Sequence, residues 1–367
     1  YDDDLEGARA AVAEVAKEAS EDAALARAYL AIADGDGAAA RTAITDAGGA
    51  DADPELALAA AYVGALEARW DAAASAARRA TEQDPRPAAF ALLCAIETAR
   101  QRFPDAERAC AEAERLVPGH PAAIIARARQ RAASGAARAE ADKLRGELEA
   151  LNAEAARPVA DQRLGVSPGQ AAWAQLALAE VGLAAGEPQK ARVAIERLKG
   201  SQRSSRGLLE AQAALGLALG DVGEAGRLAE QGLERWPTSP IFTAVRARAL
   251  LSTGDLEGAA AVIGKLAAAD DSIELTILRG EIAIAKHDLP GATKLLDAAL
   301  AKRPDDLDAL LARAAVDLEN NDPHAAQTRL EARYSKQAPP RLTIAYASAL
   351  RLQKQWQDAR EIGRAHV

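Results

Sequence analysis

The chain contains no methionine, only two cysteines and four histidines, and aromatic residues make up 3% of its 367 positions. So few aromatics exclude a core built on large rings and point to helices that approach each other closely. No histidine or second cysteine pair lies at ligand spacing from Cys94 and Cys110, so no metal is expected. His120, His287, His324 and His366 fall in turns or at the chain end and form no cluster. Serines lack a recurring His or Asp partner, and no glycine-rich phosphate loop is present; neither catalytic residues nor a cofactor is expected. No apolar run approaches the length of a bilayer span, so direct membrane insertion is not expected. The start, Tyr1-Asp2-Asp3-Asp4, is not a signal peptide. With a formal charge of −9 and basic and acidic residues interspersed, the chain is a poor match for a polyanion, and nucleic acid is not an expected partner.

Alanine, leucine, arginine and glutamate dominate, which is the composition of helices. Alanine also recurs at a near-constant interval, at Ala8, Ala40, Ala73, Ala106, Ala191, Ala225, Ala259, Ala292, Ala326 and Ala359. A period near 34 in a helical sequence specifies a stacked array whose units contact only their neighbours. Several intervals fall one or two residues short of the period. Average usage would supply roughly seven methionines, so the shortfall has two readings: methionines missing from the sequence as read, or ordinary drift in repeat length.

The surroundings of each marker alanine repeat too. Five residues earlier stands Gly35, Gly135, Gly186, Gly220, Gly254, His287 or Asn321, residues that end a helix in the left-handed conformation. Asp221, Asp255 and Asp322 follow such residues and suit the next N-cap. Twelve residues before the marker the side chain is small (Ala28, Ala61, Cys94, Ala128, Ala179, Ala213, Ala247, Gly280, Ala314, Ala347), which lets two helices approach closely. Four residues after it stands a larger one, such as Val12, Ile44, Leu144, Ile195, Ile263, Leu296 or Leu330, on the same helix face. Pro85, Pro118, Pro237 and Pro304 stop the second helix.

The pattern resembles the tetratricopeptide repeat (TPR), a helix–turn–helix unit of 34 residues, and one of its fuller matches is Phe90, Leu93, Cys94, Phe103, Ala106, Cys110, Ala113 and Pro118. The motif Asp-Leu-Glu-Gly-Ala occurs at both Asp4–Ala8 and Asp255–Ala259. The resemblance implies an all-α fold, a right-handed α-solenoid of about ten TPR-like repeats. One long interval, from Ala106 to Ala191, holds a further unit with Glu140 at the marker position plus half a repeat of insertion. Helix character runs from Ala136 to about Ala156, and Arg157-Pro158 and Gly165-Val166-Ser167-Pro168-Gly169 read as loop. The expected organisation is an N-terminal block over 1–157 with a truncated first repeat, a loop or hinge over 158–170, and a C-terminal block over 171–367 with a truncated last repeat. The plain alternative is an overlong helix with a surface loop. Because both ends fall in mid-repeat, the sequence reads as a piece of a longer array.

Cys94 and Cys110 lie on facing helices of one unit. The expectation is two small buried thiols, with a disulfide across the pair as the alternative if the protein is extracytoplasmic. The compartment, cytoplasmic or periplasmic, is left open. In TPR arrays the first helix of each unit lines the concave groove, and the resemblance places Tyr29, Tyr62, Arg129, Glu180, Arg248 and Glu281 there as candidate partner-binding residues. The family's carboxylate clamp needs an asparagine at that position, and none is present. The resulting expectation is a non-enzymatic scaffold that binds a protein or peptide segment. By analogy with bacterial arrays it would belong to a secretion, envelope or motility assembly. The alternatives are a regulatory or sensor region of a larger enzyme or signalling protein, and a self-assembling structural module. The packing alternative for the two tyrosines and the charges is that they line and solvate the surface. If the marker alanine is the helix contact point, Ala225→Leu overpacks it, and chemical denaturation should show a loss of about 1–3 kcal/mol.

Overall fold

The computed structural model describes residues 21–33, 35–198, 206–266, 272–334 and 340–364. Ala8, Val12, the first Asp-Leu-Glu-Gly-Ala motif and His366 lie outside them. Among the described residues there are twenty α-helices, one short 3₁₀ turn and no strand. The chain divides into two compact units, Tyr1–Arg203 and Ser204–Val367. The 158–170 loop lies inside the first unit.

The first unit carries helices α1 (Glu21–Ala33), α2 (Gly37–Asp46), α3 (Pro54–Leu66), α4 (Trp70–Gln83), α5 (Pro87–Ala99), α6 (Phe103–Leu116), α7 (Pro121–Ser134), α8 (Ala137–Ala155), α9 (Pro168–Ala185) and α10 (Pro188–Leu198). The second carries α11 (Arg206–Leu219), α12 (Val222–Arg235), α13 (Pro240–Ser252), α14 (Leu256–Gly264), α15 (Ile273–Ala285), α16 (Leu289–Lys302), α17 (Leu307–Glu319), α18 (Pro323–Glu331), α19 (Pro340–Leu352) and α20 (Trp356–Arg364). Odd-numbered helices are the first members of successive pairs and even-numbered helices the second. Each first helix also packs on the first helix of a neighbouring pair, as α5 does on α7 and α13 on α15.

Every described marker alanine is buried, and eight of the nine have no exposed surface at all. In three pairs a glycine nine positions back lies directly against the marker alanine. A Cβ added to Gly64 would lie 2.8 Å from that of Ala73, and one added to Gly216 would lie 3.0 Å from that of Ala225. Gly182 meets Ala191 in the same way. The alanines twelve back belong to the same core clusters, as Ala213 does with Ala225.

The turns obey one rule. The residue five before the marker is left-handed in all ten pairs, with φ between +56° and +84°, including Ala68, Gln101 and Lys354, which no residue-type signal had marked. In nine turns its amide donates to the carbonyl three residues back and the next amide to the carbonyl five back, at 2.7–3.2 Å. This Schellman arrangement consumes the carbonyls a helix end leaves open. Asp36, Asp221, Asp255, Asp288 and Asp322 then cap the second helices with their side chains. At Arg69 and Arg102 no side-chain cap forms.

The pair α7–α8 departs from this rule. Gly135 keeps its left-handed φ of +84°, but among the described residues only the first of the two turn bonds is made. Glu140, at the marker position, is partly exposed and reaches Arg131 at 3.7 Å; a carboxylate is too costly to place at a helix crossing. Helix α8 accordingly packs chiefly on α9, burying Leu144, Leu148 and Leu151. It runs nineteen residues, the overlong helix expected from the insertion. The loop that follows is anchored to it. The Glu154 carboxylate accepts from the amides of Arg163 and Leu164 and pairs with Arg157 at 3.0 Å. Those amides hold its pKa below the usual glutamate value.

Two buried carboxylates tie neighbouring helices together at one repeat position, nine before the marker. Glu97, 1% exposed, is held by Arg78 of α4 and by Arg100 at 2.9 Å. Asp317 is held by Arg313 and, at 3.0 Å, by Arg329 of α18. The same register position that accepts glycine elsewhere thus accepts a charge when two guanidiniums close over it.

One expectation is corrected. Cys94 and Cys110 are not two free thiols but a disulfide between α5 and α6, with Cα atoms 5.3 Å apart. Packing size alone had suggested inert small residues. The close approach of the two helices brings the sulfurs within bonding reach.

Because the turn demands a left-handed residue whatever its side chain, Ala68→Gly should raise the stability of the first unit by about 0.5–1 kcal/mol. Conversely Gly220→Ala, whose new Cβ would meet nothing within 4 Å, should cost about 1 kcal/mol through backbone strain alone. Urea unfolding of each variant measures both.

Candidate partner-binding face

The candidate residues lie on first helices, and most of those side chains engage one another. In the first unit, Tyr29 of α1 and Tyr62 of α3 meet edge to face with ring centroids 6.5 Å apart. The Tyr29 hydroxyl donates to Glu55 at 3.2 Å, and Glu55 also pairs with Arg86 at 2.6 Å. Burial, followed by the neighbouring Glu55 charge, raises the Tyr29 pKa far above its ordinary value. Tyr62 remains 37% exposed.

Arg129 of α7 and Glu180 of α9 form a bidentate pair, with Nε at 2.8 Å and Nη2 at 2.9 Å from the carboxylate. The same guanidinium stacks 4.9 Å above the ring of Trp173. Trp173 stands on α9 with Glu180 and is 44% exposed. Sequence reasoning did not single out this residue. The signal was available, because the chain has only four tryptophans.

In the second unit the arrangement is ionic. Arg248 of α13 donates to Asp308 of α17 at 2.8 Å, spanning the intervening α15, and Arg341 of α19 donates to the other oxygen of Asp308 at 2.8 Å. The two guanidiniums hold the Asp308 carboxyl below its usual range despite burial. Glu281 of α15 sits among these charges, and among the described residues makes no direct ion pair with them. Burial raises its pKa, the Arg248 charge opposing.

All six expected groove residues therefore lie on first helices. The structure brings together Tyr29 with Tyr62 and Arg129 with Glu180, and joins Arg248 to Asp308 rather than to Glu281. It adds Trp173, Glu55, Asp308 and Arg341. Arg129, Arg248 and Arg341 are each paired with a carboxylate, so their charges are internally compensated. Among the described residues, no group of three or more His, Cys, Asp or Glu side chains could hold a metal ion, and no helix is long and apolar enough to cross a membrane.

No protein-family model matches the chain, and no curated protein matches it. Solved structures do resemble its fold. A monomeric mutant of IFIT1 with the capped RNA m7Gppp-AAAA aligns at 14% identity with a TM-score of 0.52, over 93% of this chain and 79% of that one. A tetratricopeptide repeat protein from Parabacteroides merdae aligns at 15% identity and a TM-score of 0.44, over 72% of this chain and 98% of that one. The Cut9–Hcn1 hetero-tetramer of the APC/C aligns at 14% and 0.43, over 96% and 82%. The register of turns and alanines, together with the likeness to the IFIT1 structure, shows an all-helical fold of paired, stacked helices like that of TPR arrays.

Glu281 yields a pH-dependent expectation. A carboxyl whose pKa is raised by folding favours the folded state when protonated, and that advantage is lost as pH rises through the folded pKa. Glu281→Gln should therefore stabilise the second unit at neutral pH. The gain should shrink as pH falls towards and below the ordinary glutamate value, where both forms are neutral. Thermal unfolding at stepped pH checks the trend; a gain that persists unchanged in acid contradicts it.

Proposed function

We propose that the chain is a non-enzymatic scaffold that binds a segment of a protein partner along the first-helix faces. The binding surface would be built from Tyr29, Tyr62, Arg129, Glu180, Arg248 and Glu281 together with Trp173. The observation that carries this reading is Trp173: in a chain with 3% aromatics, a tryptophan stands 44% exposed while a bidentate-held arginine fixes the orientation of its ring. Rigid aromatics beside arginine are the residue types that dominate protein-binding hot spots. Tyr62 offers a second exposed ring on the same unit.

IFIT1 is solved with a capped RNA. For this chain the net charge of −9 and the engagement of Arg129, Arg248 and Arg341 by carboxylates favour a protein segment over a polyanion. The bacterial secretion, envelope or motility setting rests on fold-level analogy alone.

A double variant, Tyr62→Ala with Trp173→Ala, tests the reading, because partly exposed side chains can be removed at small cost to the fold. Its unfolding midpoint should stay within a few degrees of the parent. Capture of co-purifying partners from the source organism, quantified by mass spectrometry, should fall at least about tenfold. Undiminished capture by a well-folded variant would place binding elsewhere.

A further inference from the structure

The Cys94–Cys110 bridge carries an inference about where the chain matures. These are its only two cysteines, and they are paired. Both are buried, Cys94 at 0% and Cys110 at 4% exposure, so adventitious oxidation of a finished surface does not account for the bond. Each also stands at a register position that other pairs fill with plain packing residues. Where α5 has Cys94, other first helices have Ala28, Ala61, Ala128, Ala179 or Ala213. Where α6 has Cys110, other second helices have Ala77, Ala229, Ile44, Ile195, Ile263, Leu296 or Leu330.

The turn of this pair also departs from the glycine–aspartate pattern. Gln101 is a non-glycine residue at φ +57°, and Arg102 provides no side-chain cap for α6. A covalent tie is thus placed on a hairpin that lacks both the glycine and the aspartate found in turns such as Gly220-Asp221 and Gly254-Asp255.

We infer that the chain folds in an oxidising compartment, as a client of a thiol–disulfide exchange reaction that closes Cys94 to Cys110 before the α5–α6 pair packs. In that exchange one cysteine thiolate attacks a disulfide of the oxidant and forms a mixed disulfide. The second thiolate displaces it. The two thiols lose two protons and two electrons, and the oxidant's disulfide leaves as two thiols. Cytosolic thiol pools would hold the same pair reduced. This inference is independent of the partner-binding reading, because neither cysteine lies on the candidate face.

Thiol trapping tests it directly. Cells of the source organism making the protein from its own gene are quenched in acid, and free thiols are blocked with a maleimide under denaturing conditions. The expected result is that the full chain takes up no label at Cys94 or Cys110 until it has been reduced. Labelling of both before reduction overturns the inference. A second measurement separates the tie from simple burial. Reductant alone should leave the native protein bridged, whereas reductant with guanidinium should release two thiols per chain. The refolded, reduced chain should then melt roughly 5–10 °C lower. The variant Cys94→Ala with Cys110→Leu, which restores the packing of other pairs, should recover part of that loss. Equal midpoints for bridged and reduced chains would show that the bond is not a structural requirement.

Discussion

The close crossing of the two helices in each pair organises this molecule, and it is built on a residue that carries no more than a methyl group. The marker alanine supplies the methyl on the second helix, and glycine at Gly64, Gly182 and Gly216 removes it from the first. Once that contact is made, the turn has little freedom: one residue must be left-handed, and two amides must reach back to the open carbonyls. Side chains of many kinds then fill the rest. The period of the sequence is the imprint of this contact, repeated because each pair must bury its outer side against the next.

The exceptions follow from the same restriction. Where the marker is Glu140, the contact cannot form; the helix lengthens and finds its burial against α9 instead. Where the glycine nine positions back becomes Glu97 or Asp317, the contact survives because guanidiniums from adjacent elements neutralise the buried charge. A lone carboxylate at either place would be prohibitive. Arginine is within reach twice for Glu97 and only at 3.7 Å for Glu140.

These cases mark how far the sequence was legible. Helix pairs, capping aspartates and the long α8 were readable because each depends on residue type at a fixed offset. The left-handed Ala68, Gln101 and Lys354 were not, since register imposes the conformation against their own preference. The groove positions were readable as a list, but not as an arrangement. Arg248 bonds Asp308 sixty residues away, across an intervening helix, and that reach depends on how the first helices stack. The disulfide was legible as a spacing on facing helices; its closure required the distance between them.

Compensation on the first-helix faces bears on what such an array can select. An arginine locked to a glutamate offers a partner little net charge, and rim ion pairs in water contribute modestly to affinity. The Arg129–Glu180 pair instead holds its guanidinium against the Trp173 ring, so its charges act on orientation. An aromatic ring held in place loses less conformational freedom on binding than a mobile one. Selectivity in the first unit would then come from shape and apolar contact at Tyr62 and Trp173. In the second unit Asp308 spends both its oxygens on arginines, which leaves Glu281 without a direct ion pair among the described residues. A single chain thus presents two chemically distinct surfaces on one repeated scaffold, and the contact that builds the scaffold takes no part in either.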